Sequence, residues 1–322
     1  MPINADALVR SLPDLPDVLA KIQSGLYRLY GGVVRYAPNT GKGGQIVGHL
    51  LFPGDSQLTQ ERLQQLQATL SKGLESLESG MGHLQQSMGV LQGLQSANVV
   101  MTGLNLAVTT AGFVIVCKKL DGISELIHAQ SHAINQTLQI VGDLHDRGFM
   151  MDKAQFWALT QTARQYCEMG EVEQLKGLIA PLHKEYQFTK LVLERHASIG
   201  ASSVERLNEI GLLQDRLINL GLLTAHVQMR IGAFKYSHEC VSRLESDLIS
   251  LNTRRIEILT NDRNVASNID HKQFEDLRSF LRQGKNVLPA LTYQADVIEL
   301  ESRNPGLLER AYESKEILLV AA

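Results

Sequence analysis

The sequence predicts an all-α protein: an elongated bundle of long antiparallel helices with an apolar segment between two heptad-patterned arms, plus a small N-terminal β-hairpin. Three observations carry that prediction. Apolar residues make up 44% of the chain and aromatics only 5%, so packing rests on aliphatic side chains, as it does in helical proteins. Leu70, Leu74, Leu77, Met81, Leu84, Met88 and Leu91 alternate steps of four and three, the seam of a coiled coil or long bundle helix. Between Glu78 and Lys118 there is no Asp, Glu, Lys or Arg, and the last part of that interval, Ala97 to Cys117, is predominantly apolar.

Taken in order, residues 12–30 read as a short helix behind the entry Leu12-Pro13-Asp14-Leu15-Pro16-Asp17, where Pro and Asp suit a helix start. Val33 to Tyr36 and Ile46 to Phe52 are β-prone runs separated by turn-forming residues, hence one hairpin, ended by Pro53-Gly54-Asp55. A lone hairpin is marginal in water, so it should pack on the helices or pair with another chain. Gly41-Lys42 in its loop is not a phosphate-binding loop: Tyr36 stands where the first glycine belongs and Gly43 where Ser or Thr belongs. These residues, 1–54, form the first predicted region, and 55–322 the helical bundle.

Leu63 and Leu66 extend the first seam backwards, and Leu63 to Leu94 would reach roughly 48 Å at a rise of about 1.5 Å per residue. Beyond the apolar segment Leu120, Ile123, Ile127, Ile134, Val141 and Leu144 form a second seam, with Gln130 and Thr137 at its two polar positions. Asp152-x-x-Gln155, Ser202-x-x-Glu205 and Asp270-x-x-Gln273 have the form of capping boxes and should each open a helix. Pro181 should kink or end a helix, Gly200-Ala201 should separate two, and Asn261 to Asn268 should be a polar connection. Ser203 to about Leu259 reads as one long helix with a break near Gly221. Pro305 to Leu319 reads as a short terminal helix. Trp157, the only tryptophan, is expected in the core.

Composition excludes several functions. A net charge of −3 supplies no basic field for a nucleic-acid backbone. Cys117, Cys167 and Cys240 are odd in number and widely spaced, which suits neither a disulfide framework nor a cysteine metal site. His128 and His132 share a helix face but lack the glutamate of a zinc protease motif, and His238-Glu239-Cys240 point in different directions on a helix. A pairing of Cys240 with His226 as nucleophile and base would need the fold to bring them together. No cofactor or metal site and no enzyme activity are expected. Met1 to Asp6 lacks the features of a signal peptide, so the expected location is cytoplasmic in a soluble form and membrane-associated on activation.

The function is expected to reside in Ala97 to Cys117. Its 21 residues would span about 31 Å as a helix, close to the roughly 30 Å of a bilayer core. Asn98, Thr102, Asn105 and Thr109 form one polar stripe, while Gly103, Ala107 and Ala111 form a small-residue row that allows close helix approach. Gly112 and Phe113 complete the segment, and Lys118-Lys119 flank it as membrane-surface anchors or as a solvated helix end. Such a helix suits several copies packed around a lumen in a membrane. It equally suits a permanently buried bundle helix, in which Asn and Thr fix register and Gly103 and Gly112 mark a turn. Gly73, Gly80, Gly82, Gly89 and Gly93 are places where the approaching arm would bend or make close contacts.

With an apolar stretch held between two long heptad arms, the chain resembles the α-helical pore-forming toxins, such as cytolysin A, the haemolysin BL components and the two-component cytolysins of the Xenorhabdus type. The likeness is architectural and covers about residues 55–260. The run Leu104 to Phe113 with Lys119-Leu120-x-x-Ile123 is also similar to a pattern in uncharacterised bacterial helical proteins. The resemblance implies an apolar segment stored in the soluble form and released to a membrane, self-association through the heptad arms, and a toxin or intracellular defence role, with a second protein component as a candidate partner. The alternative is a non-enzymatic coiled-coil scaffold whose apolar segment never leaves protein.

Overall fold

The computed structural model describes residues 9–12, 15–30, 32–54, 56–75, 146–198, 207–261 and 269–321. They are mostly helical, with one small antiparallel sheet. They group into two compact units: residues 9–75 together with 293–321, and residues 146–292. That division differs from a cut at residue 54, because the last described residues belong with the first.

The first unit is built on five strands, β1 (Val9–Ser11), β2 (Tyr27–Tyr30), β3 (Val33–Tyr36), β4 (Ile46–Leu51) and β5 (Leu318–Ala321), in the spatial order β1-β5-β4-β3-β2. The expected hairpin is present as β3 and β4. Its loop closes through Tyr36 N to Gln45 O (2.9 Å) and Gly44 N to Tyr36 O (3.0 Å), with Gly44 at φ +83, where glycine is favoured. Lys42 lies 5.6 Å from the centroid of the Tyr36 ring, so the Gly41-Lys42 step is an ordinary hairpin turn.

The single hairpin is nonetheless a correction. Tyr27–Tyr30, read as the end of a helix, is a strand paired with β3, and the preceding helix α1 (Pro16–Gln23) stops at Gly25, whose φ is +74. Leu318 and Leu319, read as the end of a terminal helix, belong to β5, inserted between β1 and β4 with Val320 opposite both Val9 and His49. The terminal helix itself, α8, is only Leu307–Glu313, and both carboxylate oxygens of Glu301 accept from its first amides, Gly306 N and Leu308 N, at 2.8 Å. Three added strands with a buried apolar face remove the marginality of an isolated hairpin.

Helix α2 (Ser56–Glu75) also belongs to this unit and carries the start of the first seam, with Leu66 buried. The remaining seam positions, Leu77 to Leu144, lie outside the described residues. The core gathers Leu12, Ile22, Val34, Leu51, Phe52, Val297 and Ile317. Tyr293 donates from its hydroxyl to Leu50 O, and Gly32 leaves room for its ring.

The second unit contains α3 (Asp146–Met169), α4 (Val172–Ala197), α5 (Leu207–Arg230), α6 (Phe234–Asn261) and the part of α7 (His271–Arg303) up to Thr292. Helix α5 packs on both α4 and α6, and every residue from 220 to 228 is buried. The Asp270-Gln273 capping box forms in both directions: Gln273 N donates to Asp270 Oδ1 (2.7 Å) and Asp270 N to Gln273 Oε1 (3.0 Å). Two other expectations are corrected. Asp152 does not open a helix, since α3 already runs through it. Pro181, expected to kink or end a helix, lies inside α4 without ending it. The break expected near Gly221 falls at Ile231–Ala233, where Gly232 has φ +78 and Ala233 N bonds Gln228 O at 2.8 Å. Gly221 is instead a contact point, because a Cβ there would stand 2.9 Å from Leu244 Cδ2. Ser202, Glu205, Gly200-Ala201 and the Trp157 side chain lie outside the described residues.

Candidate functional site

Asn98, Thr102, Gly103, Asn105, Ala107, Thr109, Ala111, Gly112, Phe113, Lys118 and Lys119 all lie outside the described residues, as do Cys117, His128 and His132. Among the described residues no helix is long and apolar enough to cross a membrane, and no three His, Cys, Asp or Glu side chains form a metal-binding group. What the structure does place are the reactive side chains of the second unit and a concave surface in the first.

Cys240 and His226 are both buried, and their environments push them away from nucleophile chemistry. Burial, reinforced by Glu239 and opposed by Arg243, raises the Cys240 thiol, whereas a cysteine nucleophile needs a lowered one. Burial, with the positive charge of Arg230 second, depresses the His226 imidazole to about 3. A base for Cys240 would need an imidazole that accepts and holds a proton near neutrality. Cys240 lines a space of about 10 Å3, enough for one water, together with His183, Tyr186, Gly221, Thr224 and Arg243. Such a space admits no substrate.

Two of the polar side chains lining that space are hydrogen-bonded within the unit, Thr224 to Leu220 O and Tyr186 to Asp247. The Tyr186 hydroxyl donates to Asp247 Oδ2 at 2.8 Å, and Lys190 Nζ stands 2.8 Å from Asp247 Oδ1. Burial first, then the neighbouring Asp247 carboxylate, holds the Tyr186 phenol far above its ordinary range. Deeper in the unit, Arg216 Nη2 meets Glu185 Oε2 at 2.7 Å, with the two side chains only 1% and 5% exposed, and the guanidinium lies 4.2 Å from the Phe156 ring centroid. These pairs tie α4 to α5 and α6. Their role is positioning.

In the first unit His49 Nε2 lies 3.2 Å from Asp296 Oδ2. This looks like the base and orienting carboxylate of a catalytic dyad, but His49 sits in the middle of the sheet, 5% exposed, where no substrate reaches it. It fixes the end of α7 on β4 beside the Tyr293 bond. The larger concavity is a cavity of about 460 Å3 over Leu12, Leu66 and Ile317, rimmed by Ser11, Gln65 and Thr69. Arg62 is on its wall but is already engaged: Nε donates to Lys315 O (2.9 Å), Nη1 to Gln65 Oε1 (2.7 Å), and Nη2 pairs with Glu316 (2.9 Å). The volume falls in the range of ligand pockets, and among the described residues its lining includes the Ser11 and Thr69 hydroxyls but no histidine or cysteine. Leu12 and Ile317 come from opposite ends of the chain, so no sequence pattern announces this cavity.

No protein-family model matches the chain, and no match was found among curated proteins or solved structures.

Proposed function

We propose that the protein is a membrane-active helical protein that inserts Ala97 to Cys117 and oligomerises to permeabilise a membrane, as a pore-forming toxin or an intracellular defence effector. The observation that carries this reading is the chain's charge pattern: no Asp, Glu, Lys or Arg between Glu78 and Lys118, with a bilayer-length apolar stretch at its end. In this reading the heptad seams on either side form long arms of an elongated bundle and mediate self-association. The stripe of Asn98, Thr102, Asn105 and Thr109 faces a lumen, while Gly103, Ala107 and Ala111 let neighbouring copies approach. The protein acts without cofactor or catalysis, reaching the membrane from a soluble cytoplasmic form, alone or with a second component.

A second reading is favoured by one feature of α5. Residues 220–228 are free of Asp, Glu, Lys and Arg and every one is buried, so this protein already keeps one such helical stretch as core. By analogy Ala97 to Cys117 would be the buried strut of a scaffold. Dye release from liposomes by the purified full chain separates the two, measured for wild type and for Ala107→Glu and Ala111→Glu. Release by wild type that both charged variants abolish, while their far-UV circular dichroism is unchanged, supports insertion. Variants that lose their helical signal, with no release by wild type at any pH, assign the segment to the core and defeat the membrane reading.

A further inference from the structure

Two arginines lie inside the second unit, and their charges are met differently. Arg216 has the Glu185 carboxylate at 2.7 Å. Arg255 is 2% exposed and lies 5.1 Å from the Phe280 ring centroid, yet no Asp or Glu among the described residues is within ion-pair distance of it. Its Nη1 donates to Asn252 Oδ1 (3.0 Å) and Gln214 Oε1 (3.3 Å). Its Nε and Nη2, the edge with which a guanidinium takes a carboxylate or phosphate bidentately, are buried and bond to nothing among the described residues.

The two amides add to the excess of donors. A guanidinium has no acceptor, so Asn252 and Gln214 must turn their oxygens toward it and their NH2 groups away. Those NH2 groups face Gly284 of α7, where a Cβ would stand 2.9 Å from Asn252 Nδ2 and 3.5 Å from Gln214 Nε2. Helices α5 and α6 thus bring a cation and several N–H donors together, with no carboxylate within ion-pair distance of Arg255 among the described residues. Burial lowers the Arg255 guanidinium to about 10, which leaves it charged at neutral pH. A charge held in the interior without a counter-charge is strongly unfavourable.

We propose that Arg255, with Gln214 and Asn252, is a binding site for a small oxyanion, a phosphate or carboxylate group that takes the Nε/Nη2 edge. The site is independent of the membrane reading. Rigid helices set the fork in place, and the missing side chain at Gly284 is the space that the Asn252 and Gln214 amides occupy as they hold Arg255 Nη1.

The test uses the full chain and three probes, inorganic phosphate, acetate and chloride, at matched ionic strength, with Tm and calorimetric titration as readouts. Phosphate or acetate raises Tm saturably above the chloride value in wild type, and whichever of the two responds identifies a tetrahedral or a planar ligand. Arg255→Met, which removes the charge but keeps an apolar stem, loses that response. Arg255→Lys keeps the charge without the fork and raises the half-saturating concentration about tenfold or more, which preserves the comparison if the methionine variant does not fold. The proposal is overturned if neither oxyanion raises Tm beyond chloride, which would leave water on the two donors, or if Arg255→Lys binds as tightly as wild type.

Discussion

Glycine-to-alanine substitution at two helical positions offers a test of the packing in the second unit, because one energetic term is shared and the other is not. Gly177 lies within α4 and a Cβ there would meet nothing within 4 Å. Gly221 lies within α5, and a Cβ there would stand 2.9 Å from Leu244 Cδ2 and 3.3 Å from Leu244 Cβ and Cγ. Leu244 is fully buried, and its Cβ moves only if α6 moves. Alanine in a helix interior gains about 1 kcal/mol over glycine at either site. At Gly221 the overpacking costs about 1–3 kcal/mol. The propensity gain cancels between the variants, so their difference isolates the overpacking. Gly177→Ala should be more stable than wild type, and Gly221→Ala less stable than Gly177→Ala by about 1–3 kcal/mol. Urea unfolding followed by far-UV circular dichroism measures this as midpoint shifts at unchanged m. A midpoint for Gly221→Ala at or above that of Gly177→Ala refutes the close α5/α6 contact.

Glu185→Gln removes the carboxylate that meets the buried Arg216 and should cost about 3–5 kcal/mol in urea unfolding, whereas Glu185→Met with Arg216→Met should recover most of it. Tyr186→Phe deletes the donor to Asp247 and should cost about 1.5–3 kcal/mol, with Lys190 still paired to that carboxylate. Because the His226 imidazole is depressed to about 3 in the folded protein, the unfolded chain takes up the proton first as pH falls. Its contribution is therefore complete above about pH 6.5 and is lost below it at up to about 1.4 kcal/mol per pH unit, until the folded group also protonates near pH 3. His226→Gln should flatten that slope in a pH series of melts, and an unchanged slope would remove His226 as its source. Gly48→Ala places a Cβ 2.5 Å from the Val320 carbonyl oxygen, a backbone atom that cannot swing aside, so it should lower Tm by opening the β4/β5 pair.

What could be read from the sequence was local. Asp270 and Gln273 announce a helix start because both partners of the capping box are three residues apart, and the structure forms it as expected. The β3/β4 hairpin was legible for the same reason. Tyr27–Tyr30 was not, since four residues after a helix show no period and only their pairing with β3 makes them a strand. Leu318–Ala321 was still less visible, because its partners β1 and β4 lie at the far end of the chain. Gly221 misled because glycine marks a break in an isolated helix, while here it is the price of close contact with Leu244. The break went to Gly232, the only glycine of the α5/α6 junction with positive φ. Neither the 460 Å3 cavity nor the Arg255 cluster has a motif, since each is assembled from residues far apart in sequence.

The insertion of β5 between β1 and β4 has a consequence for the order in which the protein can be made. The strands from Val9 to Leu51 leave the ribosome long before Leu318, and the whole second unit is synthesised in between. Until β5 arrives, β1 has no partner and β4 exposes one row of unpaired amides and carbonyls, the kind of edge on which foreign strands nucleate. The second unit is contiguous and helical, so it can fold on emergence, whereas the sheet must close across an interval spanning that unit, a slow step governed by non-local pairing. The nascent chain therefore carries an open sheet edge through most of its own translation, and protection of that edge becomes a requirement for its yield.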